Sequence, residues 1–198
     1  NPVTLITKNY LVTRDLDILE ELAAKNLVRV TVSITSLKPE IIGSMEPRTS
    51  RPARRLKAIE RLAEHNIPVG VNVAPVVPGL TDEELPAILK AAAERGATRA
   101  GYIVLRLPGP VEPLFKDWLE REFPGRKEKV LNRLRQMRDG KLSDHRFGHR
   151  MKGKGTFAET IQSLYKLQCR KLGFNQDTST LDTSQFRRPS KGQLGLFD

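Results

Sequence analysis

Cysteine is nearly absent from this sequence. Cys169 is the single one among 198 residues, so no disulfide can close within the chain, which suits a reducing cytoplasm. Long apolar runs are missing too, and nothing here reads as a bilayer span. The opening NPVTLITKNYL has no basic segment ahead of an apolar stretch, so it is not a signal peptide. It has no initiator Met and starts at once on a strand-like run, as a piece of a longer protein would. Neither a GxGxxG fingerprint nor a Walker A sequence occurs, which removes support from dinucleotide and P-loop readings.

Positive charge is in excess. The formal net charge is +11 and the pI about 10.0, with 38% hydrophobic residues. That is core enough for a folded domain, and the charge favours anionic partners, nucleic acid first. Arg48, Arg51, Arg54, Arg55 and Lys57 form one basic run. A second crowds residues 126–141, and a third contains Arg146, Arg150, Lys152 and Lys154.

Periodicity gives the architecture. Strands are expected at Val3–Thr7, Val28–Ile34, Val69–Val77 and Arg99–Leu105, β-branched or continuously apolar. Helices are expected between them at Asp15–Ala24, Arg54–His65 and from Thr81 to about Arg95. Thr81 with Glu84 three residues on reads as a capping box. Leu37–Pro52 reads as a loop. Helices follow at Glu112–Phe123, Arg126–Arg138 and Phe157–Leu172, and from Asn175 the chain turns polar and reads as disordered. The class is α/β with a parallel sheet, either an open doubly wound sheet or a barrel. Three parts are expected: a sheet-and-helix part over 1–108, a helical part over 109–174 and a tail over 175–198.

Parallel strands carry function at their C-terminal ends. Lys8 follows the first strand, Ser33 lies in the second, Ala74 and Val76 end the third and Leu105 the fourth. A lysine and hydroxyls on neighbouring strand ends suit a small carboxylate or phosphate ligand. Taken singly, each reads as a strand end or a turn cap. Tyr102 reads as core, and Trp118 with Leu114, Phe115 and Leu119 as a packing stripe. His145 and His149 sit four apart among arginines, beside Asp144, in what reads as a basic loop and not a metal site. Asp15 and Asp17 read as helix-start residues.

The phrases MEPRTSRPARRLKAIERL, VGVNVAPVVPGLTDEEL and YIVLRLPGPVEPLFKDWL, with ITKNYLVTRDLDIL and RMKGKGTFAETI, occur in one order across roughly residues 3–173. This combination resembles the radical S-adenosylmethionine proteins related to spore photoproduct lyase. The resemblance implies later βα units of a partial (β/α)6 barrel followed by C-terminal helices. It also implies S-adenosylmethionine and a [4Fe–4S] cluster held by an N-terminal CxxxCxxC loop. That loop is not in this sequence, and Cys169 reads as a small buried hydrophobe, so the chain alone is expected to be inactive. Carried over by resemblance, Lys8 pairs with the methionine carboxylate and Ser33 hydrogen-bonds the same moiety. Ala74, Val76 and Leu105 lie along the adenosyl group. Arg48 reaches cofactor or substrate, or else pairs with Glu46.

The terminal QLGLF resembles the peptide with which bacterial replication and repair proteins dock on the sliding clamp. It places Gln193 as a hydrogen-bonding residue and Leu194, Leu196 and Phe197 as apolar contacts. Two functions therefore stand side by side. One is a radical enzyme acting on DNA, a lesion-repair lyase by analogy. The other is a non-catalytic DNA- or clamp-binding module on a barrel remnant. A barrel lacking its early strands also exposes a sheet edge, from which marginal stability is expected.

Overall fold

The computed structural model describes residues 1–144, 146 and 149–186. Val3–Thr7 (β1), Val28–Ile34 (β2), Val69–Val76 (β3) and Arg99–Val104 (β4) form one parallel sheet in the order β1-β2-β3-β4. Leu16–Ala24 (α1) joins β1 to β2. Pro39–Met45 (α2) and Pro52–Glu64 (α3) join β2 to β3, and Leu85–Ala93 (α4) joins β3 to β4. Sequence order and spatial order coincide. Every right-handed crossover then advances the same way and keeps the helices on one face. A doubly wound sheet reverses its order part-way. The arrangement is a segment of a (β/α) barrel, as the family resemblance implied.

Alternation decides which side chains meet the helices. Val28, Val30 and Val32 of β2 and Val69, Val71 and Val73 of β3 are buried. They pack in one core with Ile59 and Leu62 of α3 and Ile88 and Leu89 of α4. Burying each such side chain contributes about 1.5–3 kcal/mol before chain entropy is counted. The other face carries Thr31, Ser33, Gly70, Asn72 and Gly101, in register across β2, β3 and β4. It is small and polar, as a barrel interior facing a ligand should be. A Cβ at Gly70 would sit 3.0 Å from the carbonyl oxygen of Arg99, so glycine permits the close approach of β4. β1 is the sheet's edge. Among the described residues it pairs with β2 alone, and it leaves Ile6 68% exposed, a side chain with no core to enter.

Val111–Glu122 (α5), Lys127–Gln136 (α6) and Thr156–Leu172 (α7) complete the chain. α4 packs on α7, and Tyr102 of β4 meets Tyr165 of α7 with ring centroids 4.8 Å apart. Tyr102 and Cys169 are buried, as expected. Trp118 stacks on Phe115 with centroids 5.4 Å apart, while Leu114 turns outward, so the expected stripe packs on one side only.

The structure departs from the sequence reading in three places. The stretch expected as a loop between β2 and α3 contains α2, which buries Ile41 and Ile42. The capping box does not form. Thr81 accepts a hydrogen bond from the Val77 amide at 2.9 Å, and Glu84 bonds the Ser36 hydroxyl at 2.7 Å and the Leu37 amide at 2.8 Å. Thr81 is thus held by a residue four before it, and Glu84 by residues just past β2, which ties the start of α4 to the β2 end. The polar tail is fastened in its first part. Arg99 donates to Asp177 and to the Ser179 carbonyl, each at 3.1 Å, and the Asp182 amide donates to the Asn26 carbonyl at 2.9 Å. These bonds run past the N-terminal ends of β2 and β4, opposite the expected site.

Candidate functional site

The C-terminal ends of the strands gather a charged network around one carboxylate. Lys8 lies just past β1, Thr35 just past β2, and Glu46 at the end of α2. The Lys8 ammonium donates to Glu46 Oε1 and, at 3.1 Å, to the Thr35 hydroxyl oxygen. The Thr35 hydroxyl is 2.6 Å from Glu46 Oε1 and 2.8 Å from the Ala74 carbonyl, and its one proton serves one of the two.

Arg55 holds this carboxylate from the other side. It is fully buried, at 0% exposure, on α3. Its Nη2 donates to Glu46 Oε2 and to the Thr49 hydroxyl. Nη1 donates to the Ser33 carbonyl at 3.1 Å and Nε to the Ser50 carbonyl at 2.7 Å. All three guanidinium nitrogens are satisfied. A buried ion pair needs this completeness, because removing charges from water costs several kcal/mol per ion. Burial alone raises the Glu46 pKa, but the bonds from Lys8, Thr35 and Arg55 outweigh it and hold the carboxyl below its ordinary value.

This network leaves Lys8 one donor. An ammonium has three N–H groups, two of them face Thr35 and Glu46, and the side chain keeps 30% exposure. Ser33 is nearly buried on the barrel face, opposite Asn72 of β3. Its hydroxyl has no hydrogen-bond partner among the described residues. One free ammonium donor and one free hydroxyl thus lie close to the same strand ends, an arrangement that fits a carboxylate. The backbone positions are more occupied. The Ala74 carbonyl meets Thr35, the Val76 carbonyl accepts from the Leu105 amide at 2.8 Å, and the Leu105 carbonyl accepts from Arg138. Each carbonyl keeps a second lone pair.

Arg48 lies apart from this group. It is exposed and makes no ion pair among the described residues. Its expected pairing with Glu46 does not form, because Lys8 and Arg55 already hold that carboxylate. Gln193, Leu194, Leu196 and Phe197 lie outside the described residues, as does His145.

Several basic residues read as an electrostatic surface serve the fold instead. Arg55 and Arg138 are buried, Arg54 stacks 4.1 Å over the Tyr10 ring, and Arg133 pairs with Asp82 at 3.1 Å. Sequence reasoning missed Arg55 as part of the site, and it weighed Glu46 as a partner of Arg48. The signal for Arg55 was present: it falls on the apolar face of α3, four residues before Ile59 and seven before Leu62.

A [4Fe–4S] cluster does not fit the residues of this chain. Its one thiol is buried on α7, and no described group of three His, Cys, Asp or Glu side chains stands ready for a metal. No described helix is long and apolar enough to cross a membrane.

Residues 1–92 match the family described as the Radical SAM superfamily. Uncharacterized protein Rv2578c of Mycobacterium tuberculosis is 34% identical over 138 residues, which is 69% of this chain and 39% of that protein. Uncharacterized protein ORF301 of Acidianus two-tailed virus is 37% identical over 95 residues, 46% of this chain and 31% of that protein. Among solved structures, a cysteine-to-serine mutant of spore photoproduct lyase superposes with a TM-score of 0.58 at 19% identity. The match covers 87% of this chain and 49% of that one. A second mutant of that enzyme, with bound AdoMet and dinucleoside spore photoproduct, gives a TM-score of 0.57 at 18% identity. The chain therefore spans less than half the length of these proteins.

Proposed function

We propose that this chain, whose residues 1–92 match the Radical SAM superfamily model, forms one half of an S-adenosylmethionine site in a radical enzyme that acts on DNA. In this reading the free Lys8 donor pairs with the methionine carboxylate and the Ser33 hydroxyl bonds the same group. The backbones of Ala74, Val76 and Leu105 lie along the adenosyl moiety, and Arg48 reaches outward from the rim toward cofactor or substrate. Glu46 and Arg55 position Lys8. A [4Fe–4S] cluster with S-adenosylmethionine would supply 5′-deoxyadenosyl radical chemistry to such an enzyme, although the residues of this chain do not hold the cluster. The cluster's cysteine ligands belong to sequence outside this chain, which is expected to be inactive without them. One observation carries the proposal: a lysine with one donor to spare and an unpartnered hydroxyl converge at the C-terminal ends of a barrel-type sheet.

DNA as substrate rests on the net charge of +11 and on the likeness to spore photoproduct lyase, one structure of which holds a dinucleoside spore photoproduct. The terminal QLGLF is proposed to dock on a bacterial sliding clamp through Gln193, Leu194, Leu196 and Phe197. Both partners, like the cytoplasmic setting, extend the sequence reading. The second reading, a non-catalytic DNA- or clamp-binding module, has one observation in its favour: the sole cysteine is buried and far from any ligand role.

The test is anaerobic reconstitution of the full-length protein with iron and sulfide, followed by assay of 5′-deoxyadenosine. Product that falls at least tenfold in Lys8→Ala, or on the order of tenfold in Ser33→Ala, supports the enzyme. A reconstituted protein that neither binds nor cleaves S-adenosylmethionine leaves the module reading.

A further inference from the structure

A second buried arginine stands in the opposite condition to Arg55. Arg138, just past α6, is 1% exposed. Its Nη2 donates to the Leu105 carbonyl at the end of β4, but its Nε and Nη1 are buried without a hydrogen-bond partner. Buried donors are rarely left in this state, and a buried cation still more rarely.

Arg138 lines a cavity of about 510 Å³ together with Lys141, Ser143, Arg146 and two acids, Asp139 and Asp144. The acids do not neutralise it. Asp144 accepts from the Arg146 amide at 2.9 Å and from its guanidinium at 2.7 Å. Asp139 accepts from Arg146 at 2.5 Å and lies 3.5 Å from the Lys154 ammonium. Both acids are engaged by Arg146, which lines the same cavity, and Asp139 also faces Lys154. Lys141 and the Ser143 hydroxyl make no side-chain hydrogen bond or ion pair among the described residues. The cavity wall thus combines spent acceptors with unspent donors: two guanidinium N–H directions, an ammonium and a hydroxyl. Burial pulls the Arg138 pKa below its usual value, opposed by the nearby Asp144 carboxylate and aided by Arg106.

We propose that this cavity is an oxyanion site, in which the unpartnered Nε and Nη1 of Arg138, with Lys141 and Ser143 at the rim, bind a phosphate group. A planar guanidinium offers paired donors that match phosphate oxygens, and the low-dielectric wall strengthens the contact. The phosphate belongs either to a polynucleotide backbone or to a small phosphorylated molecule. The site sits beside Leu105, just past β4, and Lys8 is not among the residues that line it. It stands on its own geometry and does not require the cofactor reading.

The experiment titrates inorganic phosphate into the full-length protein by calorimetry, at constant ionic strength with chloride as the control salt. S-adenosylmethionine binding is measured on the same samples, so loss of one reading is not mistaken for loss of the other. Saturable phosphate binding that weakens at least about tenfold in Arg138→Met supports the site. If that variant does not fold, Lys141→Ala combined with Ser143→Ala replaces it, with weakening of about fivefold expected. Competition by a short oligothymidylate assigns the phosphate to a polynucleotide. Binding without competition assigns it to a small phosphorylated ligand, and either result upholds the oxyanion site. Phosphate that binds no better than chloride, or equally well in the variants, overturns it.

Discussion

Arg55 and Arg138 flank the third strand of one sheet, each fully buried and each bonded to a strand-end carbonyl. Arg55 spends every nitrogen on the protein, and Arg138 spends one of three. The contrast separates two uses of a buried charge. A cation whose donors are all answered within the chain holds other groups in place. A cation with donors unanswered is a receptor, and the fold carries its cost until a ligand arrives.

The sharpest way to break this comparison is to replace each guanidinium by an apolar chain of similar length. Arg55→Met leaves Lys8 as the one cation bonded to Glu46, beside the Thr35 hydroxyl, and should cost about 3 kcal/mol, read from denaturant unfolding. Loss below about 1 kcal/mol would mean that the network is ornamental to the fold. The pH dependence of the same network comes next in size. Glu46 is held below its ordinary value of 4.5, so its contribution is complete above that pH and disappears as pH falls through the lowered folded value. Unfolding curves between pH 6 and pH 3 should show Glu46→Gln with a shallower acid slope than the parent (about that range brackets a carboxyl). Equal slopes would place the titrating group elsewhere.

Arg138→Met should behave differently from Arg55→Met. Without phosphate it should cost at most about 1 kcal/mol, or raise stability, because an unpaired buried charge is removed along with one hydrogen bond. A loss as large as that of Arg55→Met would show that Arg138 is structural. The smallest effect belongs to Arg48→Ala, exposed and unpaired, which should change stability by no more than about 0.5 kcal/mol. Any larger change in S-adenosylmethionine or DNA affinity then measures a ligand contact rather than folding.

The sequence was legible where one periodic force acted alone. The four strands fall within a residue of their expected ends because alternating valines have only one way to meet the helices. The closure was not legible from periodicity, since it is decided by spatial strand order, and the family phrases supplied it. Lys8 and Ser33 were legible as strand-end groups. The partners that prepare Lys8 were not, because Glu46 lies 38 residues further on and meets it only across the fold, and Arg55 acts on it only through Glu46. Thr81 and Glu84 show the same limit in reverse: a valid local capping pattern lost because Ser36 and Leu37, just past β2, take the Glu84 carboxylate while the nearby Val77 amide takes Thr81. Arg138 sat inside a basic run that reads as solvated surface, and only burial singles it out.

The central claim is that Lys8, held by Glu46 and Arg55, keeps its third donor for the carboxylate of S-adenosylmethionine. The most direct test is a crystal structure of the full-length protein grown with that cofactor. The account predicts the methionine carboxylate within hydrogen-bond distance of the Lys8 ammonium and the Ser33 hydroxyl, with the Lys8–Glu46 pair intact. Cofactor bound away from these strand ends, or a Lys8 that makes no contact with it, would contradict the account.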